Sequence, residues 1–317
     1  MRGGVVIPAR SGMAGAAVLI AALAAACGQS AGAGGAAGAS AAPPRPPAAS
    51  AGAIPPASAG AIPPASAGAT PAAGAGATPA GTLPVAAACG PPGAPGRLVT
   101  VTAADRVRLT AATAGSGRRG VLLIPERGPA GLCGWWAYAA RLSRSGYRVL
   151  MFDHRCTGDS GCPAGAAGRD LMADVRGSVT WLHRAGAVSV VLMGASQGAS
   201  EAVIAATRPP SGVTGVVVLS ADELTTPLAR GPYPRTALAA VPRLRLPVLF
   251  AVAAGDPYVS VAATRRLVAA ARSPGKRLVV LPEDSGHGWD LVSPTAGTSA
   301  GAAFLRTVGA FLARASP

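Results

Sequence analysis

Lysine occurs once in the 317 residues, at Lys276; histidine occurs three times, and aromatic residues make up only 4% of the chain. The formal net charge of +15 therefore rests almost wholly on arginine. Those arginines are scattered singly, with no dense basic run and no interleaved aromatics, so the footprint of a nucleic-acid-binding protein is missing. Scarce aromatics leave a core to be built from Val, Leu and Ala. No metal-ligand cluster, Walker loop or dinucleotide glycine fingerprint is found, and neither cofactor nor metal is expected. The apolar run Met13 to Ala26 is too short to span a bilayer stably.

What the N-terminus does carry is the layout of an export signal. Arg2 and Arg10 form a weak basic region before that apolar run, which ends in LAAACG. A small-residue pair before Cys27 resembles the lipobox of bacterial lipoproteins, in which the cysteine is lipidated and becomes the first mature residue. Ala24 stands where that box usually carries Leu, and Ala24-Ala25-Ala26 equally suits an ordinary A-x-A cleavage site. Either route takes the chain out of the cytoplasm. Residues 1–26 are thus expected to be a signal peptide, with Cys27 a lipid anchor to the membrane. Residues 27–92 are almost entirely Ala, Gly, Pro and Ser, with an octapeptide repeat, ASAGAIPP, ASAGAIPP, ASAGATPA. One branched apolar residue per unit cannot build a core, so this segment is expected to be a linker. Its reach as a coil would be on the order of 50 Å.

From residue 93 the pattern becomes that of one domain. RLVTVTAADRVRLTA predicts an antiparallel strand pair turning at Ala104-Asp105. The apolar runs RRGVLLIPE, YRVLMFD, VSVVLMGAS, TGVVVLSAD, LPVLFAVAAGD and KRLVVLPE predict buried strands. Helical patterns lie between them: Trp135 to Ser145, Arg169 to Arg184, QGASEAVIAATR and SVAATRRLVAAAR, with a final helix AAFLRTVGAFLAR. A hairpin followed by alternating strands and helices implies an α/β fold, with a mostly parallel sheet covered on both faces.

Two copies of G-x-S-x-G occur, GASQG around Ser196 and GTSAG around Ser299. In a chain with 43 glycines the pattern alone is not specific. Context separates them. Ser196 follows an apolar strand directly and precedes a helix, the order a nucleophile elbow needs to project its hydroxyl at the sheet edge. Ser299 has no strand before it, and Thr298 or Ser299 is better placed to cap the last helix. A serine nucleophile needs an imidazole to take its proton. His183 lies near the end of a helix and so at the opposite sheet edge. His154 reaches the correct edge but precedes the serine. His287, in EDSGHGW, follows the last strand and is the candidate base. Asp256, in AAGDPYV, ends the strand before it and is the candidate acid, with Asp222 in SADEL as the alternative. Asp284 and Asp290 flank His287 and are expected to be solvated loop residues.

Ser196, Asp256 and His287 in that order, with GYRVLMFDHRCTGDS between the first helix and the next loop, resemble the α/β-hydrolase superfamily. The likeness covers essentially the whole folded domain, from about Arg97 to the C-terminus of 93–317, and is strongest to compact esterases and dienelactone-hydrolase-like members. A serine stands where the latter often use cysteine, which points to ester chemistry. The resemblance implies an oxyanion hole made by the backbone N–H groups of Gln197 and of Glu126 or Arg127. Pro125-Glu126-Arg127-Gly128 stands where relatives usually carry His-Gly. A carboxylate there would oppose the oxyanion unless it turned away or paired with Arg127. Only a short segment separates SADEL from LPVLF, so no large cap domain is expected. Trp135, Trp136, Tyr258 and Trp289 either line the site or pack in the core. With export to an oxidising compartment, Cys156 is expected to pair with Cys162 and Cys89 with Cys133. The expected protein is an exported serine hydrolase acting on a small-molecule or acylated ester at the cell surface. The alternative is a non-catalytic lipoprotein of the same fold that binds an envelope ligand.

Overall fold

The computed structural model describes Cys89 and residues 96–223, 231–293 and 298–316, all within the unit Ala73–Pro317. The expected signal segment 1–26, Cys27 and, Cys89 apart, the linker to 92 lie outside the described residues. Eight strands form one sheet: β1 (Arg97–Thr102), β2 (Arg108–Ala114), β3 (Arg119–Ile124), β4 (Tyr147–Phe152), β5 (Ser189–Ala195), β6 (Val213–Leu219), β7 (Val248–Ala253) and β8 (Arg277–Leu281). Their order in space is β1-β2-β4-β3-β5-β6-β7-β8. The first two pair antiparallel, β2 meets β4 antiparallel, and every pairing from β4 to β8 is parallel. The helices are α1 (Trp136–Arg144), α2 (Leu171–Arg184), α3 (Gln197–Ala205), α4 (Ala237–Ala240), α5 (Val261–Ala270) and α6 (Ser299–Ala315).

The period-two alternation of each strand divides the core between two faces. Leu122 and Ile124, Val190 and Leu192, and Val216 and Val218 pack with Leu171, Val175, Val179 and Leu182 of α2 and with Val203 of α3. On the opposite face Val121, Leu123, Val191, Met193 and Val217 pack against Trp135, Leu142 of α1 and Phe304, Val308 and Leu312 of α6. Because both faces are covered, the central strands read as continuous apolar runs. β8 differs from the buried strand expected for KRLVVLPE: Arg277 is exposed and Val280 is 40% exposed. It is last in the sheet order, with β7 as its one neighbour, so an edge strand needs less apolar cover.

Local signals start and stop the helices where expected. Ser260 caps α5 by accepting from the Ala263 N–H at 3.1 Å, and Thr298 caps α6 by accepting from the Gly301 N–H at 3.0 Å. Gly146 follows α1 with φ of 82°, a left-handed position that ends the helix without a Cβ penalty. Both expected disulfides are present, Cys89–Cys133 and Cys156–Cys162. The first ties the segment before β1 to the turn leading into α1. The second closes the loop after β4. The parallel arrangement brings the C-terminal ends of β3, β4, β5, β7 and β8 to one edge of the sheet, and with them residues 126, 154, 196, 256 and 287.

Candidate active site

Between Ser189 and Ala205 every residue is buried except Ser196, which is half-buried. The chain reaches that point through a tight turn. Ser196 has φ of 51° and ψ of −118°, a backbone conformation that costs a non-glycine residue free energy and is held only by strong surroundings. The surroundings are visible. The Ser196 N–H donates to Leu219 O on β6 at 2.9 Å. A Cβ on Gly194 would lie 2.0 Å from Gly198 O, and one on Gly198 would lie 2.4 Å from the carbonyl oxygens of Ile124 and Pro125. The two glycines of GASQG are therefore required by close backbone approach, which presses the first turn of α3 onto the end of β3. Ser299 has no such setting: it is the first residue of α6, with Thr298 as its cap.

Asp256 and His287 are brought together. His287 Nδ1 lies 2.8 and 2.9 Å from the two Asp256 carboxylate oxygens. A carboxylate only accepts, so Nδ1 carries the proton, and in the neutral ring Nε2 is left as the acceptor. The Asp256 side chain is fully buried, and its Oδ1 also accepts from the backbone N–H groups of Tyr258 and Val259 at 3.0 and 2.9 Å. The turn carrying His287 is fastened at two points. The His287 N–H donates to Asp290 Oδ2 at 3.2 Å, and the Gly288 N–H donates to Ser220 Oγ at 3.1 Å. Asp290, expected to be merely solvated, thus fixes the backbone of the histidine. Ser220, buried at the end of β6 with φ of 52°, was not singled out by sequence, because its partner lies 68 residues away. Asp222 is exposed, and its carbonyl accepts from Ser200 Oγ at 2.6 Å.

The other two histidines are occupied elsewhere. His183 has its ring nitrogens 2.8 Å from Ala187 O and Ser211 O, beyond the N-terminal end of β5. His154 does reach the active edge, but its Nε2 lies 3.0 Å from both oxygens of Glu201, which is fully buried. Burial alone would lower the pKa of that imidazole; the charge and hydrogen bond of Glu201 outweigh it and raise the value. Glu201 Oε1 also accepts from Gln197 Nε2 at 3.0 Å, and Gln197 Oε1 accepts from Arg127 Nε at 3.0 Å. This polar chain links β4, α3 and the loop after β3, and draws the segment 126–127 alongside Gln197. Arg127 is thereby committed to Gln197 rather than to Glu126. The Glu126 carboxyl instead lies against Gly288, where a Cβ would come within 2.1 Å of Oε2. That oxygen is buried without a hydrogen-bond partner. Burial, then the charges of Asp290 and Asp256, push the Glu126 pKa up to about 7, against a backbone N–H from Trp289 that favours the charged form.

Of the aromatic candidates, Trp135 and Trp136 are core residues and Trp289 packs edge-on against Trp135 at 6.0 Å. Tyr258 alone is outside: it is 80% exposed, with its ring edge-on to His287 at 4.8 Å between centroids. Among the described residues, no three His, Cys, Asp or Glu side chains gather as a metal ion would require.

Residues 120–242 match the family model of the alpha/beta hydrolase fold. No curated protein sequence matches the chain. Among solved structures, an esterase of Pyrococcus furiosus superposes with a TM-score of 0.58 at 18% identity, covering 70% of this chain and 93% of that one. An esterase of Exiguobacterium antarcticum gives 0.53 at 19% identity, over 68% and 98% of the two chains. A hydrolase of Pseudomonas aeruginosa gives 0.52 at 19%, over 66% and 98%. The eight-stranded, mostly parallel sheet, the elbow after β5 and these likenesses agree: the chain has the α/β-hydrolase fold.

Proposed function

We propose that the chain is an exported serine hydrolase that cleaves carboxylic esters at the cell surface. The observation that carries this reading is the buried Asp256–His287 pair at the same sheet edge as a serine held at positive φ between two obligatory glycines. In the reaction, Ser196 Oγ attacks the ester carbonyl carbon while His287 Nε2 takes its proton. Asp256 holds the tautomer and stabilises the imidazolium. The tetrahedral intermediate places its oxyanion against backbone N–H groups of Gln197 and of Glu126 or Arg127, with the N-terminus of α3 adding favourable potential. Collapse expels the alcohol, which leaves with the proton from His287. Water, deprotonated by the same imidazole, then releases the acid and restores Ser196. Esterases among the structural likenesses support the reaction class. The direction of the Glu126 side chain supports a functioning oxyanion hole, since the carboxyl packs on Gly288 and is half neutral near pH 7.

The test needs no knowledge of the substrate. A fluorophosphonate probe should label the wild type and not Ser196→Ala. A wild type that takes no label and turns over no ester would remove the enzyme reading and leave the ligand-binding lipoprotein.

A further inference from the structure

A cavity of about 150 Å³ adjoins the elbow, lined by Glu126, Arg127, His154, Thr157, Leu171 and Gln197 among others. The sheet order gives it a side. Asp256 and His287 follow β7 and β8, to one side of Ser196 on β5; the cavity lies at the ends of β3 and β4, on the other. An imidazole that protonates the departing oxygen puts the leaving alcohol on its own side, where Tyr258 stands exposed. The acyl group must then extend the opposite way, past the oxyanion donors and into the cavity. A space of that volume holds a group about the size of benzene, roughly six non-hydrogen atoms.

Its lining is not that of a hydrocarbon slot. His154 is 6% exposed and its Nε2 lies 3.0 Å from the carboxylate oxygens of the fully buried Glu201, whose charge and hydrogen bond raise the imidazole pKa and so favour the doubly protonated ring. With Nε2 engaged, Nδ1 remains, and it has no partner among the described residues. In the charged ring it is a donor. Thr157, half-buried, and the exposed Arg127, whose Nε is held by Gln197, also line the cavity and carry further donors. Resting on the ester-hydrolase reading above, we propose that this cavity is the acyl subsite. It takes a short acyl group bearing an oxygen acceptor, either a hydroxyl or a carboxylate, at its far end.

The experiment measures kcat/KM of the full-length chain on para-nitrophenyl acetate, butyrate and octanoate, and on the hydroxybutyrate and hemisuccinate. Butyrate should exceed octanoate by at least about tenfold, and one of the two oxygenated esters should exceed butyrate by about tenfold, the worth of a hydrogen bond to a charged donor. The faster of the two says whether the acceptor is neutral or anionic. His154→Gln should bring the oxygenated-to-butyrate ratio towards one. Since that variant also changes the hydrogen-bond partner of the buried Glu201, Thr157→Val serves as the second, and should lower the same ratio severalfold. Octanoate as fast as butyrate, or a ratio unmoved in both variants, overturns the subsite. Turnover of no ester by a chain that still takes the fluorophosphonate label refutes ester hydrolysis itself; absence of the label refutes the nucleophile, and the subsite falls with either.

Discussion

The Glu126 carboxyl has one buried oxygen without a partner, and Asp256 and Asp290 are the charges that act on it. With its pKa pushed up to about 7, the folded chain holds this proton over a range where the unfolded chain has released it. The linkage sign follows. The folded state is favoured in full below the ordinary carboxyl value near 4.5, and that favour is lost as pH rises to about 7. After allowing for solvent screening of a half-buried group, about 1 kcal/mol should disappear across this window. Glu126→Gln should flatten the loss, as read by urea unfolding at pH 5 and pH 8. A wild type equally stable at both pH values, with the variant parallel to it, would show that the carboxyl is solvated instead. The triad gives a second prediction at this scale. Ser196→Ala and His287→Ala should each cost about 10⁶-fold in kcat and Asp256→Asn about 10⁴-fold. Asp222→Asn should stay within about tenfold, because its carboxylate has no part in the proton transfer. If Asp222→Asn is the damaging change, the acid belongs on β6. Ser196, His287 and Asp256 were legible in the sequence because each follows an apolar run that reads as a strand, directly or within six residues, and parallel strands share one edge. The partners of Ser220 and Glu201 were not, since a contact across 68 or 47 residues leaves no local pattern.

Among the elements, the apolar runs announced six strands, five of them correctly as to burial, but said nothing about lateral order. Whether KRLVVLPE is central or at an edge depends on having a second neighbour, which a short apolar run does not encode; Lys276 and Arg277 at its start were the available hint. The loops joining these elements depend on the disulfides to differing extents. Cys89 and Cys133 close a separation of 44 residues, and Cys156 and Cys162 one of 6. On loop entropy alone, opening the first should cost about 4 kcal/mol and the second about 2 kcal/mol. Cys89→Ala/Cys133→Ala should therefore lower the thermal midpoint about twice as far as Cys156→Ala/Cys162→Ala. Activity should follow the reverse order. The shorter loop contains Thr157 and begins two residues after His154, both of which line the cavity beside Gln197, whereas Cys133 touches the lining only through its neighbour Gly131. Equal loss of activity in both variants would mean that the β4 loop is held by Arg155, buried between Asp105 and Asp174, and not by its disulfide.

For the whole molecule, the proposed place at the cell surface calls for a source of membrane affinity, and two physical sources compete. The first is the proposed lipid on Cys27. Acyl chains contribute about 0.8 kcal/mol per buried CH₂, and two or more of them anchor a protein stably at any salt concentration. The second is the arginine surplus behind the net charge of +15. Cationic residues near an anionic membrane contribute about 1 kcal/mol each, but that attraction falls off within a Debye length, about 10 Å at 0.1 M salt and 3 Å at 1 M. A salt wash therefore separates them. Expressed in its host, the wild-type chain should remain with membranes in 1 M salt and pass into the detergent phase on extraction. Cys27→Ser should either accumulate unprocessed or appear in the medium, and any of it found on membranes should come off in salt. Wild type released by salt would make the arginines the attachment and Ala24-Ala25-Ala26 an ordinary cleavage site, with the hydrolase domain free to act at a distance from the cell.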